Sequence, residues 1–92
     1  SKLIIKFAIY HTERITGFLK RGQDEGLILR DIETSVVSKT IIEISNIIGD
    51  NEIFSLENIT RKQLFKETLL YFFRGISTIK GIEIIDNYIN KK

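Results

Sequence analysis

Asn58-Ile-Thr-Arg-Lys-Gln-Leu-Phe-Lys-Glu-Thr-Leu-Leu-Tyr-Phe-Phe-Arg-Gly-Ile-Ser77 is the stretch whose reading decides the fold. Thr60 suits a helix N-cap that accepts from the backbone N–H of Gln63, with the Gln63 side chain reaching back in a capping box. Beyond it, Phe65, Leu69, Phe72 and Ile76 recur at spacings of four, three and four, the stripe of a helix lying on a core. Leu64, Tyr71 and Phe73 fall off that stripe. A helix apolar on more than one side needs more than one neighbour. In a chain of 92 residues, a second copy of the chain is an expected neighbour.

Working outward toward the N-terminus, residues 31–48 read as the preceding helix, with Asp31 as its N-cap and Gly49-Asp50-Asn51 as its end. Val37, Ile41, Ile44 and Ile48 form its stripe, widened by Val36 and Ile47. Isoleucine and valine are indifferent helix formers, so tertiary contact has to hold this helix, as a bundle interface would. Residues 2–23 read as one long first helix, with Ile4, Ala8, His11, Ile15, Phe18 and Gly22 on one face and Leu19 beside it. Leu3, Phe7 and Tyr10 add a second stripe in its first half. Gly17, mid-helix, suggests close approach of a neighbouring backbone, and Gly26 suits a left-handed helix cap. Residues 51–57 read as an irregular or single-turn connector anchored by Ile53, Phe54 and Leu56. Thr78 to Gly81 reads as a turn, followed by a short helix through Ile82, Ile85, Tyr88 and Ile89, closed by Lys91 and Lys92. The expected fold class is therefore all-α: an antiparallel bundle of three long helices plus a short C-terminal helix, in a single domain over residues 1–92.

Composition narrows the function classes. One small domain buries a modest share of its surface, so help from a partner fits. Without cysteine there is no disulfide and no thiolate metal site. Fourteen basic residues against twelve acidic ones are dispersed along the chain, which argues against a phosphate-binding face. No apolar run approaches the roughly 20 residues that span a bilayer, and no signal-peptide layout opens the sequence, so a soluble, cytoplasmic chain is expected.

Catalytic chemistry finds no constellation. His11 is the one histidine, either a hydrogen-bonded boundary residue or a polar group reaching into a cavity, and alone it defines no site. Asp24 with Glu25, and Asp31 with Glu33, are carboxylate pairs at helix ends without a nucleophile or base partner. The glycines make no phosphate-cradling run. No catalytic residue, metal ligand or cofactor is assigned. An interaction module that stands alone would show the same stripes.

The order of features resembles the last part of the C-terminal domain of TetR-family bacterial transcriptional regulators. The resemblance is carried by Ile15-Thr-Gly-Phe-Leu-Lys-Arg-Gly-Gln-Asp-Glu-Gly-Leu-Ile-Leu-Arg-Asp-Ile32, by the helix ending in Ile47-Ile-Gly49, and by Leu69-Leu-Tyr-Phe-Phe-Arg-Gly-Ile76. It implies a regulatory domain that homodimerises through the helices at 31–48 and 60–77, with Val37, Ile41, Ile44, Ile48, Phe65, Leu69, Phe72, Phe73 and Ile76 at the interface. It also implies a cavity for a small hydrophobic effector, to which the first helix contributes Phe7, Tyr10, His11 and Arg14. The family's helix-turn-helix and earlier core helices are not in these 92 residues. The chain is thus expected to be a fragment that meets DNA only through a missing N-terminal domain.

Overall fold

The computed structural model of the chain describes residues 2–91. Its helices are α1 (Lys2–Asp24), α2 (Thr34–Gly49), α3 (residues 61–75) and α4 (Ile79–Asn90). The fold is all-α. Among the described residues, extended pairing is limited to an isolated antiparallel bridge between Ile28 and Ser77. The body is flat, 39 × 36 × 19 Å.

α1 and α2 pack through a seam that the hydrophobic pattern disguises. Ser38 is fully buried and donates to the Thr34 carbonyl at 2.6 Å. Its one hydroxyl proton is thereby used, so Thr16 donates to Ser38 Oγ at 2.8 Å. Leu19, beside this pair, has no exposed surface, whereas Phe18 is 55% exposed. The inward face of α1 is thus turned by about one residue from the expected stripe, because two hydroxyls satisfy each other at the helix contact. Ile4 and Phe7, at the other end of α1, are exposed.

α1 stops as its sequence predicts. Gly26 has φ +75°, Leu27 N–H bonds the Gly22 carbonyl at 2.8 Å and Gly26 N–H bonds that of Gln23 at 3.1 Å. These two bonds are a Schellman motif. Close packing occurs at Gly22 and not at Gly17: a Cβ on Gly22 would sit 2.5 Å from Ile28 Cγ1, whereas one on Gly17 would meet only the Arg21 guanidinium at 3.8 Å.

Asp31 is not the cap of α2. The helix starts at Thr34, with Glu33 in the cap position and making no side-chain cap bond. Leu29 explains the delay: its N–H bonds the Ile76 carbonyl at 2.9 Å and its carbonyl accepts from Gln23 Nε2 at 2.9 Å. These ties anchor the chain at Leu29, and residues 30–32 turn before the helix begins. The 51–57 connector is a run of turns; Phe54 is half-buried, while Ile53 and Leu56 are exposed.

α3 begins with Thr60 Oγ1 accepting from Gln63 N–H at 3.1 Å. Gln63 does not reach back; its side chain donates to Glu67 at 2.6 Å. The helix is α-helical over Arg61–Phe65, π-helical over Lys66–Leu70 and α-helical again over Tyr71–Gly75. Thr68 Oγ1 donates to the Leu64 carbonyl at 2.7 Å within the wide turn, and side-chain insertion of this kind accompanies helix irregularity. The extra residue changes the phase of the stripe. Leu64 is buried before the turn, and Leu69, Phe72, Phe73 and Ile76 meet the core after it.

The α3–α4 joint is a tight corner. Thr78 caps α4, accepting from Gly81 N–H at 3.2 Å, so the helix begins at Ile79, ahead of the Ile82 start that the sequence suggested. Thr78 also ties the corner to the end of α1: its N–H bonds the Leu27 carbonyl at 2.9 Å and its hydroxyl donates to that of Gly26 at 2.7 Å. Lys91 follows the last turn of α4, and the expected role of Lys92 lies outside the described residues. The core where these parts meet is Leu19, Ile28, Ile41 and Ile76.

Arg74 and Asp86 clamp α3 to α4 through bonds of 2.9 and 3.2 Å. The hydrogen bond and positive charge of Arg74 hold the Asp86 carboxyl below its ordinary value of 3.8, against a smaller opposing effect of desolvation. A depressed folded-state pKa contributes stability above the unfolded pKa and loses it as pH falls through the folded one. Asp86→Asn should therefore be less stable than the wild type near neutral pH, and the gap should close below pH 3.8. Thermal melts of both proteins across pH 2 to 7 read this out, with a small effect expected for an exposed pair.

Candidate functional site: a groove divided by Phe18 and Phe73

The four residues proposed for an effector site lie together on α1. Phe7 and Tyr10 each meet the His11 ring edge to face, at 4.2 and 5.5 Å between centroids. Arg14 Nη1 donates to the Tyr10 hydroxyl at 3.0 Å, and its guanidinium lies 5.7 Å from the Tyr10 ring centre. That hydrogen bond, and the attraction of the phenol oxygen, raise the Arg14 pKa above its ordinary value and leave it a fixed cation. Of the four, His11 and Arg14 border a hollow; Phe7 and Tyr10 support them from farther up the helix and do not line it.

The hollow, about 500 Å³, opens between α1 and the facing Ile41 and Phe73. Its rim carries Glu13, Arg14 and Arg21, so it is polar with a cationic bias. Phe18 and Phe73, edge to face at 6.4 Å, form one wall. Beyond this wall lies a second slot of about 210 Å³, lined by Leu27, Ile28, Leu70, Ile84 and Ile85, with the backbone of Gly81 at its side. The two compartments share Phe18 and Phe73. A small molecule with an apolar body and a polar or anionic head matches this division: the slot takes the body, and the rim orients the head.

The pattern placed His11 and Arg14 at the site and missed Phe18 as a wall, because Phe18 was assigned to the core. Among the described residues no three His, Asp or Glu side chains converge to hold a metal ion.

The residues expected at the dimer interface divide into two groups. Ile41 and Ile76 are buried in the core, with 4% and 9% of their surface exposed. Val37, Leu69, Phe72 and Phe73 pack on that core while staying half-exposed, and Ile44, Ile48 and Phe65 are also half-buried. No protein-family model, curated protein or solved structure matches this chain. The likeness to TetR regulators therefore rests on the three stretches of sequence that carry it.

Proposed function

We propose that these 92 residues form the effector-binding and homodimerisation domain of a TetR-like transcriptional regulator, whose DNA-reading head lies outside them. The observation that carries this reading is surface. A compact monomer of 10.7 kDa exposes about 5,500 Å², whereas this chain exposes 7113 Å². The surplus, about 1,600 Å², is ample for a standard interface, which takes about 800 Å² from each partner. Exposed large apolar side chains occur on three helices: Leu3, Ile5, Phe7 and Ile9 on α1, Val36 and Ile47 on α2, and Tyr71 on α3. The half-exposed Ile44, Ile48, Leu69 and Phe72 lie on the two helices that the family likeness assigns to dimerisation.

In this reading α2 and α3 pair with their copies, and the groove beside Phe18 and Phe73 receives the effector. The groove and the interface share α3 and the residues around Ile41, so occupancy of one biases the packing of the other.

Sedimentation tests the assembly. The wild type should be dimeric at micromolar concentration. Ile47→Glu, a change at a position already 39% exposed, should yield a monomer with unchanged helicity, and Phe72→Glu a monomer or an unfolded chain. Lys62→Glu should leave the dimer intact. A wild type that sediments only as monomer would refute the proposal.

A further inference from the structure

A separate hollow of about 410 Å³ lies between the first turns of α3 and the last turn of α4, and it shares only Leu70 with the apolar slot beyond the Phe18–Phe73 wall. Its walls are Phe65, Leu70 and Ile89, and its rim carries Lys62, Lys66 and Lys91. No acidic residue lines it. The nearest acid in sequence, Glu67, is engaged by the Gln63 side chain at 2.6 Å. None of the three lysines is ion-paired among the described residues.

Three positive charges rim a hollow that no carboxylate lines. Two features accompany them. The first turn of α3 carries Arg61 and Lys62 and no acid, the reverse of what helix stability favours. The π turn starts at Lys66 and ends at Leu70, so these two residues of the hollow belong to an irregular helical segment of the kind that is frequent at functional sites. Departures from local rules without an evident structural gain mark such sites.

We infer that this hollow binds an amphipathic anion, a carboxylate or phosphate head held by the lysines on an unbranched apolar chain that lies against Phe65, Leu70 and Ile89. The volume falls in the range of small-molecule sites, about 300–1,000 Å³. Charge-assisted contacts from the lysines supply the affinity for the head, and the apolar walls select against simple ions. The site lies outside the groove, and its occupancy is read at different residues, although it shares Phe65 with the proposed dimer interface.

The test is a nuclear magnetic resonance titration of the isotope-labelled chain with decanoate, decyl phosphate, decanol and inorganic phosphate, all below micelle-forming concentrations. Decanoate, decyl phosphate or both should shift the backbone amides of residues 60–70 and 88–91, and the tighter of the two identifies the head group. Lys62→Gln with Lys66→Gln in one chain should weaken that binding on the order of tenfold, while Lys6→Gln should not. Lys62 is exposed and Lys66 half-buried, so circular dichroism of the double variant is to show that the fold is kept. The inference is overturned if decanol binds as tightly as the anions, or if inorganic phosphate alone binds as tightly as decyl phosphate. It is equally overturned if the double variant retains full affinity, or if the shifts appear only around Arg14, Phe18 and Phe73.

Discussion

Leu19→Ala should destabilise the chain by about 2–5 kcal/mol, the cost of lost transfer energy plus a cavity that the neighbours cannot fill. Leu19 has no exposed surface and packs in the cluster with Ile28, Ile41 and Ile76, which come from the α1–α2 loop, α2 and the end of α3. One truncation thus loosens every part that meets at the core. Domain stability is typically about 5–15 kcal/mol, so the loss is a large fraction of the total. A fall in Tm of at least about 8 °C is expected for a domain of this length. Phe18→Ala is the informative control. Phe18 is the larger side chain, and periodicity put it on the inward stripe with Leu19 beside it, yet it is 55% exposed. Its truncation should cost less than that of Leu19. The opposite order in denaturant melts would mean that α1 is rotated from the packing described above.

The helices were legible from their sustained apolar periods. Thr60 before α3 and Gly26 after α1 behave as the sequence suggests, since caps depend on residues close in the chain. Asp31 misled for the converse reason: the Leu29–Ile76 backbone bond comes from a residue 47 positions away and outweighs a local cap. The rotation of α1 was hidden by Thr16 and Ser38, which look polar individually and are a matched pair in the seam. The π turn of α3 was hidden because periodicity analysis assumes a constant pitch. One inserted residue carries the buried face from Leu64 to Leu69, a spacing that no regular helix repeats.

The candidate groove was half legible. His11 and Arg14 were placed by their position on α1, and the structure puts them at one hollow. The slot beyond Phe73 needed the α4 start, and that depended on reading Thr78 as a cap where the sequence suggested a turn. The lysine-rimmed hollow draws on residues 60–70 and 88–91, two segments that only the corner at Ser77 and Thr78 brings together.

Gly81→Ala should be strongly destabilising, although helix propensity alone predicts the reverse. Gly81 lies in the first turn of α4, where alanine is favoured over glycine by about 1 kcal/mol. Against this, a Cβ at position 81 would come 2.2 Å from the Leu27 carbonyl oxygen and 3.0 Å from Ser77 Cβ. The first of these is backbone, so relief requires the 26–28 loop to move away from α4. That motion breaks the Thr78 N–H bond to the Leu27 carbonyl and the Thr78 hydroxyl bond to the Gly26 carbonyl. Overpacking costs about 1–3 kcal/mol and each lost hydrogen bond about 0.5–1.5 kcal/mol, which outweighs the propensity gain of about 1 kcal/mol and leaves a net loss of about 1–5 kcal/mol. Gly75→Ala is the matched control: it is helical, has an ordinary φ, and an added Cβ meets nothing within 4 Å, so its stability should be unchanged or higher. Chemical denaturation of the two variants beside the wild type decides the sign, and faster hydrogen exchange at the Leu29 and Thr78 amides should accompany Gly81→Ala. A Gly81→Ala chain as stable as the Gly75→Ala chain would mean that α4 does not dock on the end of α1, and the apolar slot between them would then have no floor.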